Sequence, residues 1–423
     1  MFAKINFHDE FYQKLKLLVL PITMQQFMLA LVSATDAIML GAVSQTSLSA
    51  VSLAGQIQFV LNLFISGISA GSGIMAAQYW GKKDAASIEE VMPIALRTNL
   101  IFSGAFTVFA AVAPEVLMRI FTSDPALIES GAVYLRAVSL SYLLCGISQI
   151  YLILLKNTGY ATVSSRISCT AVVVNIICNA ILIYGLLGLP ALGIQGAAYA
   201  TVAARLVELI WSYLETKQSG RVQVIWKKMF HAADAVLTKD FWRYTTPVLG
   251  AALVWGIAYV SYSVIMGHMG SDAVAANSIT TIAKNMLSCL IRGVSGGAGV
   301  LIGNLLGAGE LDKAKVYGGR LTRMAIVVGM TTGGLLMLIS PLIVRFAPLS
   351  ETAAEYLQYM LIFCGCNIMA QSVNTTVLDG IFCAGGDSKF DMKGNLGAMW
   401  CFSVPFGFFA AFVLKWPVMV VYC

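Results

Sequence analysis

The chain has 423 residues, of which 58% are hydrophobic and only 11% charged, with a mean hydropathy of +0.79. A soluble domain carries about a quarter charged residues, so this composition excludes an ordinary soluble protein and predicts a polytopic helical membrane protein. The net charge of +6 needs no nucleic-acid partner, because the placement of the basic residues explains it.

The opening stretch, MFAKINFHDEFYQKLKLLVLP, carries acids and aromatics and offers no small-residue cleavage site, so no removable signal peptide is predicted. Apolar runs of about 20 residues, the length that crosses the hydrocarbon layer, then follow one another. Hydropathy and helix breakers predict helices over 14–40, 49–79, 88–112, 126–154, 163–186 and 191–214. Beyond a polar segment they resume over 241–267, 274–305, 312–345, 352–382 and 389–414. A twelfth helix begins near 417, and the chain is expected to end inside it.

Basic residues gather on alternate connections. Lys4, Lys14 and Lys16, Lys82 and Lys83, Lys156 and Arg166, the run from Lys217 to Arg243, the run from Lys313 to Arg323, and Lys389 with Lys393 share one side, against Arg119, Arg345 and Lys415 on the other. The positive-inside bias predicts a cytoplasmic N-terminus and a multi-pass protein of the cell membrane. Residues 215–240 read as a basic, amphipathic cytoplasmic linker on the inner membrane surface.

The two halves are related by a shift of 226 residues. Pro21 meets Pro247, Gly41 meets Gly267, and Gly67, Gly71, Gly73 and Gly81 meet Gly293, Gly297, Gly299 and Gly307. Glycines and prolines matching at one offset signify shared backbone geometry. The expected architecture is all-α, with a six-helix lobe over 1–214 and a second lobe over 241–423. An even helix count sends both halves into the membrane in the same direction, which implies a pseudo-twofold axis along the membrane normal.

GISAG (67–71) and GVSGG (293–297) fit G-x-S-x-G, the hydrolase nucleophile elbow. That elbow needs a strand-to-helix turn and a histidine partner, whereas these sit in apolar helices with only His8, His231 and His268 in the chain. Read as small-xxx-small faces, they let two helices approach closely. The nine cysteines lie mostly in apolar segments, and no cluster has metal-site spacing. Neither an enzyme nor a cofactor is predicted.

Asp36 interrupts the apolar run ALVSATDAIMLG, and a carboxylate within a membrane helix is costly and usually functional. Asn175 and Asn179, spaced i, i+4, share one helix face and need partners in the bundle. A carboxylate, amide carbonyls and the Thr201 hydroxyl are the oxygen ligands a hard cation such as sodium prefers. At the repeat offset Asp36 becomes Tyr262, and the asparagines fall in CFSVPF, so the site is expected in the first lobe. The competing reading makes Asp36 a cap or cross-link near the outer interface. Trp255, Tyr259 and Tyr262 line one face of the seventh helix, as a surface for organic cations or for packing and lipid. Lys284 falls near the midplane and lines a second-lobe cavity, pairs with an acid or sits in a water defect. Arg292 and Asp379 lie nearer the inner face and are expected to snorkel or pair there.

PITMQQFMLALVSATDAIMLGAVSQTSLSAVSLAGQI resembles the first two helices of multidrug and toxic compound extrusion transporters. SDAVAANSI with GAGVLIGNLLGAGELDKAK, NIICNAILIYGLLGLPALGIQGAAYAT and GIFCAGGDSKF resemble later segments of the same family. The resemblance implies two six-helix lobes around a cleft, alternating access, and export of organic cations in exchange for sodium or protons, by a monomer. It also implies that Asp36 is the acid of the first helix, Pro21 its kinking proline and Asn175 the asparagine of the fifth. Asn179 stands where many members have aspartate, which leaves sodium against proton open. The alternative is a flippase for lipid-linked precursors, which calls for a more basic cleft.

Overall fold

The computed structural model describes residues 9–230, 234–347 and 349–422; Lys4, His8, His231 and Cys423 lie outside them. No strand occurs among the described residues. The first half holds α1 (Glu10–Val43), α2 (Gln45–Gly81), α3 (Ala85–Val112), the short α4 (Pro114–Arg119), α5 (Pro125–Asn157), α6 (Ala161–Tyr184) and α7 (Ile194–Thr216). The second holds α8 (Ala235–His268), α9 (Ser271–Gly307), α10 (Leu311–Phe346) and α11 (Glu351–Thr375), which continues through a π-helical turn at Thr376–Phe382. The eleventh predicted helix is present but irregular: α12 (Ser388–Asn395) and α13 (Val404–Phe408) are joined by the π-helical turn Leu396–Ser403 and followed by another at Phe409–Val413. Pro405 lies in this stretch, and a proline removes one backbone donor and crowds the preceding turn, which wider π turns accommodate. α14 (Val418–Tyr422) begins where the twelfth helix is predicted.

Among the described residues ten helical spans, the stretch Ser388–Val413 counted as one, are long and apolar enough to cross a membrane. α7 is long but dilute in apolar residues, because Gln195, Arg205, Glu208 and Glu215 interrupt it. Polar side chains set several helix starts. Ser44 accepts the Ser47 amide at 3.0 Å at the head of α2, and Ser350 accepts that of Ala353 at 3.2 Å at the head of α11. Asp84 heads α3, taking the Ser87 amide at 3.1 Å and its hydroxyl at 2.6 Å. Each satisfies a backbone donor that the first turn leaves free.

The duplication is visible in the backbone. α2 and α9 match end to end at the 226-residue shift. Lys83 and Gly309, equivalent by the same shift, both adopt left-handed conformations, with φ of 60° and 77°.

Two compact units emerge, one of residues 27–249 and the other of residues 1–26 with 250–423. The divisions run through α1 and α8, a few residues after Pro21 and Pro247. Repeat and packing unit therefore have different boundaries: a repeat is defined by shared backbone geometry, a unit by what each stretch touches. In the first unit, α5 packs against α2, α3 and α7, and Phe241 of α8 joins the buried cluster of Ile88, Met92 and Tyr151. In the second, Phe11 of α1 is buried with Leu301, Tyr317 and Leu321. There Arg320 donates to Asp9 at 2.5 Å. The Phe11 amide and then Arg320 hold the Asp9 carboxyl below the usual carboxylate range.

The glycines of the G-x-S-x-G pattern are contact points. A Cβ on Gly67 would lie 2.7 Å from Leu249 Cα, and one on Gly71 2.6 Å from Thr245 Cα, both on α8. Their counterparts meet α1: Gly293 would place a Cβ 3.1 Å from Thr23 Cα, and Gly297 3.0 Å from Val19 Cγ2. Leu249 and Thr23, like Thr245 and Val19, are themselves equivalent by the repeat. One helix crossing is thus built twice, each time by small residues that let backbones touch.

Candidate ion-coupling site

Four side chains singled out in the sequence meet in the first unit. Asn179 Nδ2, on α6, donates to Asp36 Oδ1 on α1 at 2.5 Å. The same nitrogen donates to Asn175 Oδ1, one turn back, at 3.2 Å. Asn175 Nδ2 donates to Thr201 Oγ1 on α7 at 3.4 Å, and that hydroxyl donates to the Ala197 carbonyl at 3.0 Å. The result is a polar chain from Asp36 across three helices to the α7 backbone. Asn175 and Asn179 are 5% and 0% exposed, which leaves their amides only protein partners, whereas Asp36 is half-buried.

Local sequence explains the arrangement. The i, i+4 spacing puts both amides on one face of α6. α6 ends at Gly185, whose φ of 70° turns the chain back toward α7. A Cβ on Gly196 of α7 would meet the Leu182 carbonyl carbon at 2.6 Å, so the two helices touch beside the site. Leu40, Ile183 and Ala197 form the apolar patch beside it, with Met39, Val51 and Tyr134 packed against them.

One atom is left over. Asn179 Oδ1 is buried and accepts no hydrogen bond. A buried unsatisfied acceptor costs about 1–3 kcal/mol. The amide therefore offers two faces to Asp36. Nδ2 suits an ionised carboxylate, while Oδ1, after rotation of the amide, suits a protonated acid or a cation held between the two groups.

The remaining candidates are not members of this hydrogen-bonded chain. Pro21 lies in α1 without interrupting it. In the second unit, Trp255 and Tyr259 stack with centroids 5.6 Å apart. Tyr259, Ser263 and Met266 of α8 face Asn277, Ser278 and Thr281 of α9 across a cavity of about 350 Å³. Tyr262 is placed differently, against the core and edge-on to Tyr422 at 6.1 Å. Lys284 is half-buried, and Arg292 and Asp379 are exposed. Among the described residues no group of three or more His, Cys, Asp or Glu is placed to hold a metal. Glu208, which nothing in the sequence pattern singles out, is a buried acid on α7.

A repeated six-helix plan, all-helical among the described residues, with a half-buried acid bonded to buried amides within one half, defines a multi-pass membrane transporter. The MatE family model matches residues 21–181 and again 247–409, starting each time at the repeat-related proline. The chain belongs to this family, the multidrug and toxic compound extrusion transporters. It is 23% identical over 377 residues to the uncharacterized transporter YisQ of Bacillus subtilis (strain 168), covering 88% of this chain and 82% of that protein. To the probable multidrug resistance protein NorM of Agrobacterium fabrum it is 24% identical over 358 residues, covering 82% and 73%. Its fold superposes with a TM-score of 0.87 on a MOP superfamily transporter from Pyrococcus furiosus, at 18% identity over 97% of this chain and 90% of that one. An outward-facing multidrug resistance MATE family transporter gives 0.86, also at 18% identity, over the same shares. At such identities the structures speak to the fold alone.

Proposed function

We propose that this protein is a secondary antiporter that exports small organic cations in exchange for sodium or protons by alternating access, with the coupling ion taken up at Asp36. The observation that carries the reading is the Asn179 amide, which bonds Asp36 through Nδ2 while its own Oδ1 stays buried and unbonded. A carboxylate so placed is neutralised either by a proton or by a cation, and Asn179, Asn175 and Thr201 supply oxygens for the second case. An antiporter also needs its ligands to favour different conformations, since a ligand shifts states only through differential affinity. Pro21, five residues before the division within α1, is the element of that helix suited to bend.

The cavity under Tyr259 is the substrate subsite of this reading. It offers an aromatic face, hydroxyls and an amide without a fixed positive charge, a lining suited to amphipathic cations. The bias of the basic residues supports a cytoplasmic N-terminus and a cytoplasmic 215–240 linker at the cell membrane.

The test is efflux of a fluorescent organic cation from proteoliposomes under a sodium gradient alone and then a proton gradient alone. Wild type responds to at least one of them, and Asp36→Asn, inserted at equal level, responds to neither. Unchanged gradient dependence in Asp36→Asn would make the residue a structural cross-link.

A further inference from the structure

Glu208 on α7 is a carboxylate with only 2% of its surface exposed. Ser148 Oγ and Gln149 Nε2 of α5 donate to its Oε1 at 2.6 and 3.3 Å. Arg205 Nη1, one turn back on α7, donates to Oε1 at 3.2 Å and to Oε2 at 3.0 Å. Both carboxylate oxygens thus accept from named donors, and the Arg205 guanidinium, whose side chain is 22% exposed, is paired with a buried acid.

The position of this pair gives it a second consequence. Thr201, Arg205 and Glu208 are spaced i, i+4, i+7 and so share one face of α7. Thr201 is the hydroxyl that closes the polar chain from Asp36. Arg205 follows it about 6 Å further along the helix axis. Asp36 lies further on, reached from Thr201 through Asn175 and Asn179, and a positive charge fixed on this face, in a medium that screens far less than water, still opposes the arrival of a cation there. Glu208 cancels it. A buried ion pair is a poor way to gain stability by itself, so a cross-link between α5 and α7 alone gives little reason for a charged pair here.

We infer that Glu208 is a positioning residue of the Asp36 site, neutralising Arg205 and, through Ser148, fixing the α7 face that presents Thr201 to Asn175. The inference rests on the cation-coupled reading of Asp36.

The experiment titrates efflux of ethidium from proteoliposomes against sodium at fixed pH and against pH at fixed sodium, and reads the half-saturating ion concentration. Glu208→Gln leaves Arg205 unbalanced and raises that concentration about tenfold for the coupling ion. Arg205→Gln leaves an extra negative charge and lowers it. The double variant Arg205→Gln/Glu208→Gln returns it to within about threefold of wild type, because the net charge is again zero. A purely structural pair predicts losses in the same direction for all three, the double no better than either single, and that result overturns the inference. Thermal unfolding in detergent is measured on each variant. If Glu208→Gln does not fold, opposite shifts in Arg205→Gln and the double decide the matter by the same signs. Asp36→Asn is run in parallel: ion dependence lost there with no shift in Glu208→Gln rejects this inference alone. Ion dependence kept in Asp36→Asn rejects the reading beneath it.

Discussion

Asn179 and Asp36, 143 residues apart in the chain, are joined by a hydrogen bond of 2.5 Å between the amide nitrogen and Oδ1. Asp36 is the one carboxylate in this hydrogen-bonded chain, so the proposed site carries a single negative charge. Asn179→Asp is expected to strengthen sodium binding, since the added carboxylate attracts a cation at contact distance. Half-saturation by sodium should fall severalfold, on the order of 1 kcal/mol of added attraction in a partly screened site. Asn175→Ala removes one neutral ligand and is expected to weaken coupling by less than Asp36→Asn does. Efflux against ion concentration checks both, and equal losses for Asn175→Ala and Asp36→Asn would contradict the ranking.

The glycine contacts give a stability prediction. Gly71→Ala drives a methyl to 2.6 Å from Thr245 Cα, and Gly67→Ala to 2.7 Å from Leu249 Cα. Overpacking of this kind costs about 1–3 kcal/mol. Gly55→Ala in the same helix meets nothing within 4 Å and is expected to be neutral or slightly stabilising, as alanine favours the helix. Thermal unfolding in detergent distinguishes them. Equal midpoints for Gly71→Ala and Gly55→Ala would show that α2 and α8 are not in backbone contact.

Lys83 holds a φ of 60° where its repeat partner is Gly309. A left-handed conformation strains a residue with a Cβ by about 1–2 kcal/mol. Lys83→Gly is therefore expected to stabilise by up to about 1 kcal/mol, less the added freedom of the unfolded chain. Gly309→Ala should destabilise by a similar amount. The same unfolding assay reads both signs.

Asp84 heads α3 and accepts both the hydroxyl and the amide of Ser87, which hold its carboxyl below the usual range. A depressed folded value means the ionised form is the stabilising one. Its contribution is complete above the unfolded value of about 4 and disappears as the pH falls through the lower folded value. Asp84→Ala is expected to cost about 1 kcal/mol at pH 7, with the gap to wild type closing below pH about 4. A gap that stays at its full pH 7 size however far the pH falls below about 4 would place the loss in packing rather than in the cap.

The sequence alone determined what is local or periodic. Helix positions follow from apolar run length and breakers, and the duplication from glycines and prolines that recur at one spacing because they impose backbone geometry. Asn175 and Asn179 were readable as one face because helical periodicity fixes it. Asp36 stood out because hydrocarbon penalises charge wherever the residue packs. The tertiary structure decided what depends on which helices meet. It joined Asp36 to Asn179, turned Tyr262 to the core while Tyr259 kept the cavity, and exchanged the first halves of α1 and α8 between packing units. It also revealed Glu208. One acid and one arginine three residues apart look like an exposed helix flank in a linear string, and only the approach of Ser148 and Gln149 from α5 shows the carboxylate to be buried.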